Sequence, residues 1–116
     1  MTERVGLAKA DFVIKQDSTL PRIRGTLLDA NDDPIDLTAC TVRFHMKSDN
    51  DGALVLDELA TILAPVAGRV EYAWQAGNTA EAGWMSIEWE VTDVGLDVTI
   101  VPSFGYDKIY ITAKIA

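Results

Sequence analysis

One cysteine, Cys40, stands in 116 residues, so no intrachain disulfide can form and the fold has to rest on buried apolar surface. The Cys-to-Cys bridge of antibody domains is thereby excluded. His45 is the only histidine, which leaves neither a histidine-rich zinc site nor a nucleophile with a histidine base to activate it. Long apolar runs are missing too. No stretch approaches the roughly 18 residues of a membrane span or the shorter core of a signal peptide, and the opening MTERVGLAKADF mixes charged with apolar residues. The expectations are no membrane association and folding in a cytoplasm. Basic charge is scarce: 10 Lys and Arg against 18 Asp and Glu give −8, a sign that repels phosphate backbones and anionic bilayers within a Debye length. The basic residues stand singly, with no stripe to follow a nucleic acid backbone, so nucleic acid is not an expected partner. Glycine-rich phosphate loops, paired metal clusters and Asn-x-Ser/Thr sequons are absent from the sequence as well, and no cofactor is expected.

What is present is ordinary globular material. Apolar residues at 48% and charged residues at 24% suffice to offset the ordering entropy of a single domain of this length. The expected organisation is a polar arm over residues 1–10 and one domain over 11–116. The dominant period is two, in short blocks separated by Gly, Pro, Asn and Asp. Phe12 and Ile14 open a first strand, and a second is expected over Thr19–Leu28. After the turn formers Asp29–Asp36, Val42, Phe44 and Met46 alternate with Arg43, His45 and Lys47. Ala53–Leu63 reads as a strand or a short helix, its apolar spacing fitting neither template cleanly. Val70, Tyr72 and Trp74 form one row, and Met85, Ile87, Trp89 and Val91 the clearest one. Asp97–Val101 reads as a short strand, and Ile109, Ile111, Ala113 and Ile115 as a final strand reaching the terminus. About seven strands without crossover helices predict an all-β, immunoglobulin-like antiparallel β-sandwich. Its core is expected to hold Phe44, Tyr72, Trp74, Met85, Ile87, Trp89, Ile109 and Ile111.

The order of these motifs resembles a known family. LLDANDDPIDLTACTVRFHM followed by AGRVEYAWQAGNTAEAGWMSIEWEVT is similar to the N-terminal domain of phage baseplate upper proteins. The likeness rests on Asp33, Pro34, Asp36, Leu37, Thr38 and Met46, then Gly68, Val70, Tyr72 and Trp74, then Thr79, Gly83, Glu88 and Pro102. It implies an immunoglobulin-like fold, a place in the virion and no enzymatic activity. In that family further segments generally follow this domain, whereas here the chain stops at Ala116 with the last strand. The resemblance therefore points to a free-standing tail, baseplate, neck or capsid-decorating subunit more than to a fibre tether.

Four groupings invite chemistry. Asp29, Asn31 and Asp33 share the spacing of the first calcium ligands of an EF-hand, but that loop needs Gly where Pro34 stands and a bidentate Glu where Cys40 stands. An acidic turn is the reading. His45 falls on the wet side of its strand, as a surface histidine, and Cys40, lacking a CxxC partner, reads as a small buried thiol. Glu88 and Glu90 lie two apart on one face, near the separation of a glycosidase carboxylate pair, yet a solvated β-face looks the same. Trp74 and Trp89 lie on inward rows, whereas Trp84 is out of phase with Met85, Ile87 and Trp89.

The expected function is that of a non-enzymatic virion structural protein working through protein-protein contacts, in multiple symmetric copies, folded in the bacterial host cytoplasm. The alternatives are a carbohydrate-binding module, using Trp84 with Tyr106 or Tyr110 on a host-surface glycan, and a small hydrolase built on Glu88 and Glu90. Candidate interface residues are Val5 and Leu7 in the arm, together with Trp84, Tyr110 and Thr112. Thr112 enters because the terminal strand Lys108–Ala116, if it lies at a sheet edge, is open to strand addition.

Overall fold

The computed structural model describes residues 12–102 and 107–116, and among them the chain forms strands and loops without a helix. The strands are β1 (Phe12–Lys15), β2 (Ile23–Thr26), β3 (Thr41–Ser48), β4 (Leu54–Leu59), β5 (Thr61–Ala64), β6 (Arg69–Tyr72), β7 (Gly83–Thr92), β8 (Val98–Val101) and β9 (Asp107–Thr112). They make two sheets. Six strands follow the order β1-β9-β7-β3-β4, with β8 also pairing β7, and three follow β2-β6-β5. β7 is the longest, so its first half pairs with β9 and its second half with β8.

Alternation drives the packing. Along β3, Val42, Phe44 and Met46 are buried while Arg43, His45 and Lys47 between them are half-buried, because successive side chains leave a pleated strand on opposite faces. Every residue expected in the core is buried, joined by Ile14, Ile23, Leu27, Leu37, Leu56, Val91 and Val101. Phe44 is the joint between the sheets. Its ring stacks on Tyr72 at 4.9 Å, meets Trp74 edge-on at 5.7 Å and lies 4.7 Å from Trp89. The Trp74 indole N–H donates to the Pro21 carbonyl at 3.1 Å and the Tyr72 hydroxyl to Asn78 Oδ1 at 2.8 Å, so the polar tips of these rings are satisfied. Gly68 (φ +68°) threads a close approach: a Cβ there would sit 2.8 Å from the Leu27 carbonyl oxygen and 2.9 Å from that of Ile35.

The structure corrects the sequence reading in four places. Among the described residues there are nine strands and not about seven, because Ala53–Leu63 divides at Ala60 into β4, in the large sheet, and β5, in the small one. The sheets are not wholly antiparallel, since β1 runs parallel to β9, with Phe12 opposite Ile109 and Lys15 opposite Thr112. The second strand is shorter than Thr19–Leu28, covering Ile23–Thr26 only. Last, the terminal strand is neither an edge nor as long as expected. It stops at Thr112, leaving Ala113–Ala116 exposed, and it is enclosed between β1 and β7, so β1 is the edge there. A parallel partner far away in sequence leaves no local pattern by which it could be foreseen.

Candidate functional site

The outer face of the six-stranded sheet carries side chains that the core does not use. At one end, Val13 on β1 is opposite Tyr110 on β9, which in turn is opposite Trp84 on β7. These three form an apolar row across the strands. The rings of Trp84 and Tyr110 are 4.9 Å apart and tilted by 48°, and Trp84 stays 39% and Val13 55% exposed.

Next to the row is a polar network. Lys108 Nζ donates to Asp49 Oδ2 at 2.7 Å and to Ser86 Oγ at 2.8 Å, and Ser86 Oγ donates to Asp49 Oδ1 at 2.6 Å. Burial pushes the Asp49 carboxyl up, but the hydrogen bonds from Lys108 and Ser86 with the nearby lysine charges outweigh it and hold it below its ordinary value.

Further along the face, His45 Nε2 lies 3.0 Å from Glu90 Oε1 and 3.2 Å from Asp57 Oδ1, without hydrogen-bond alignment to either. Arg43 Nε donates to Asp57 Oδ1 at 2.8 Å. That hydrogen bond lowers the Asp57 carboxyl below its usual range, against partial burial, with the His45 and Arg43 charges adding to it. Glu88 and Glu90 share this face as their spacing requires, with Glu90 committed to His45.

The other candidates have structural occupations. Asp29 Oδ1 accepts the N–H groups of Asn31 at 2.8 Å and Asp33 at 3.0 Å, closing an acidic turn on itself. Among the described residues no group of three or more His, Cys, Asp and Glu is arranged to hold a metal ion. Cys40 is half-buried, not fully buried as expected, with Sγ 3.7 Å from the Thr38 carbonyl oxygen. Burial first, then the charges of Asp93 and Asp36, raises its thiol above the ordinary value, which disfavours the nucleophilic thiolate. Thr112 Oγ1 is 3.5 Å from the Ile14 carbonyl oxygen, tying β9 to β1. Val5, Leu7 and Tyr106 lie outside the described residues.

Sequence reasoning found the strands of the β7–β8 hairpin but not the exposure of its apolar residues. Val94 is 77%, Leu96 79% and Val98 53% exposed, and Ile100 is exposed behind them. Opposite Thr92 and Glu90, Val98 and Ile100 lie on the outer face too. The alternation is legible in the sequence, but a period of two does not say whether an apolar row faces inward or outward.

By fold the chain is an all-β sandwich with a broad, partly apolar outer sheet face. Residues 13–101, well over half of it, match the family model of the BppU N-terminal domain, and the chain belongs to this family of baseplate upper protein domains. Membership of a phage baseplate structural family implies a place in the virion beside other virion components. No curated protein sequence matches the chain. Among solved structures it is similar to the crystal structure of CopC from Methylosinus trichosporium OB3b, with a TM-score of 0.50 and 11% identity over 93% of this chain and 89% of that one. At that identity the likeness concerns the fold alone.

Proposed function

We propose that the chain is a non-enzymatic virion structural domain that acts by protein-protein contact through the outer face of its large sheet, in repeated copies among other virion subunits. The row Val13–Tyr110–Trp84 carries this reading. A folded monomer gains nothing from holding an indole and a valine in water, whereas aromatic residues within a patch excluded from solvent by its surroundings are the usual anchors of protein interfaces. The family membership supports the same role. A carbohydrate-binding module is the second reading, favoured by the exposed Trp84–Tyr110 pair. Against it, the two rings tilt by 48° against each other and so do not present a single flat platform for a sugar ring.

The test is Trp84→Thr, alone and with Tyr110→Thr, introduced into the phage that carries the gene. The expected outcome is particles that lose this protein while the isolated domain keeps its melting temperature. Normal incorporation of the double variant would overturn the proposal, and saturable binding of a glycan abolished by Trp84→Thr would favour the second reading.

A further inference from the structure

The β7–β8 hairpin is built against the usual preferences of a turn. Asp93 N–H donates to the Asp97 carbonyl at 3.0 Å and Leu96 N–H to the Asp93 carbonyl at 2.9 Å, while Asp93 Oδ1 accepts from Gly95 N–H at 2.9 Å and Asp97 N–H at 3.0 Å. Leu96 then takes a φ of +67°, in the place where such a loop normally puts glycine. Gly95 comes one residue too early to fill it. A leucine at a strained backbone position and 79% exposed contributes little to folding, and a persistent outlier of this kind points to function.

The tip has a counterpart on the same molecule. Its apolar residues, Val94, Leu96 and Val98, are flanked by Asp93 and Asp97 with no basic residue among them. At the opposite end of β7, about 30 Å away at the rise of an extended strand, the row Val13–Tyr110–Trp84 is bordered on its face by Lys15 and by Lys108, the latter already paired with Asp49 at 2.7 Å. One patch is apolar and acidic, whereas the other is apolar with Lys15 as its surplus positive charge, since Asp49 offsets Lys108.

We propose that the hairpin tip of one copy seats on the apolar row of the next, joining copies head to tail. The idea rests on the reading of that row as a contact surface and names its occupant. Leu96 and Val94 meet the Trp84–Tyr110 pair, and Asp93 and Asp97 face Lys15. Because the two patches differ, the contact is heterologous. Each copy keeps one free tip and one free row, so association continues until a ring closes or a filament forms.

Sedimentation velocity of the full chain between about 10 µM and about 1 mM, the range in which small interfaces associate, tests it. The wild type is expected to rise above its 12.7 kDa monomer mass with concentration. Leu96→Gly removes the tip while placing the preferred residue at a positive φ, so it folds at least as well. Trp84→Thr removes the row with a residue suited to a strand surface. Each variant alone should stay monomeric, and their mixture should give a 1:1 dimer and nothing larger, since one retains a row and the other a tip. If Trp84→Thr does not fold, Lys15→Glu at its exposed strand position replaces it as the row variant. A wild type that stays monomeric throughout, a mixture that does not dimerise, or undiminished association of Leu96→Gly would each overturn the proposal. A monomeric wild type combined with loss of Trp84→Thr from particles would remove the head-to-tail contact and leave the contact-surface reading standing.

Discussion

Replacing Phe44 by alanine removes the ring that the two sheets share. Phe44 is fully buried, with ring centroids of Tyr72, Trp74 and Trp89 at 4.9, 5.7 and 4.7 Å. Truncating a buried phenylalanine costs about 3–5 kcal/mol in lost transfer energy and residual cavity, and each aromatic pair adds about 0.5–1.5 kcal/mol beyond its area. Trp89 is held in β7 and Tyr72 in β6, strands of different sheets, so the site cannot collapse without shifting a whole ladder. The expected loss is therefore at the upper end, about 5 kcal/mol. A domain of this size holds only about 0.05–0.15 kcal/mol per residue in total, so the variant should be close to unfolding at 25 °C. Urea denaturation followed by tryptophan fluorescence reads the change directly, because Trp74 and Trp89 flank the deleted ring. Phe44→Leu, which keeps most of the apolar volume, should cost about half as much. A loss below about 2 kcal/mol for Phe44→Ala, with the urea dependence unchanged, would show that the site repacks and that Phe44 is not the joint between the sheets.

The Asp49 carboxyl is lowered in the folded state, so its contribution is present above the unfolded carboxylate value and is lost as pH falls through the folded one. Lys108→Met should accordingly cost about 0.5–1 kcal/mol at neutral pH, the pair being partly solvated, and almost nothing near pH 2. Urea unfolding at the two pH values checks this, and an equal loss at both would refute it. Gly68→Ala places a Cβ 2.8 Å from the Leu27 carbonyl oxygen at a φ of +68°, which should lower stability by at least about 2 kcal/mol and Tm by about 10 °C; an unchanged Tm would contradict the close approach.

The inward rows are legible in the amino-acid sequence because their cause is local. A strand sends alternate side chains to opposite faces, so Phe44, Met85, Ile87, Trp89, Ile109 and Ile111 declare themselves by spacing, and all are buried. The acidic turn at Asp29 is legible for the same reason, since the Asp29 carboxylate bonds the N–H groups of Asn31 and Asp33 within its own loop. Trp84 stands out by its phase alone, and it lies on the outer face.

Other features are decided only by the tertiary structure. Periodicity orders residues along a strand and says nothing of which strand lies beside it. The parallel pairing of β1 with β9 is therefore invisible locally, although it moves the sheet edge from Thr112 to Phe12–Lys15. The row Val13–Tyr110–Trp84 depends on that same pairing, because its members come from three strands that become neighbours only when the sheet closes. Leu96 is the sharpest case. DVGLDV holds a glycine, Gly95, yet the hydrogen bonds that close the hairpin put the left-handed residue one position later, and a leucine has to adopt it. The alternation of side chains along the chain belongs to the sequence. The partners of each strand, the open edge and the residue that bears the strain follow from long-range backbone hydrogen bonds, whose formation depends on the whole sheet.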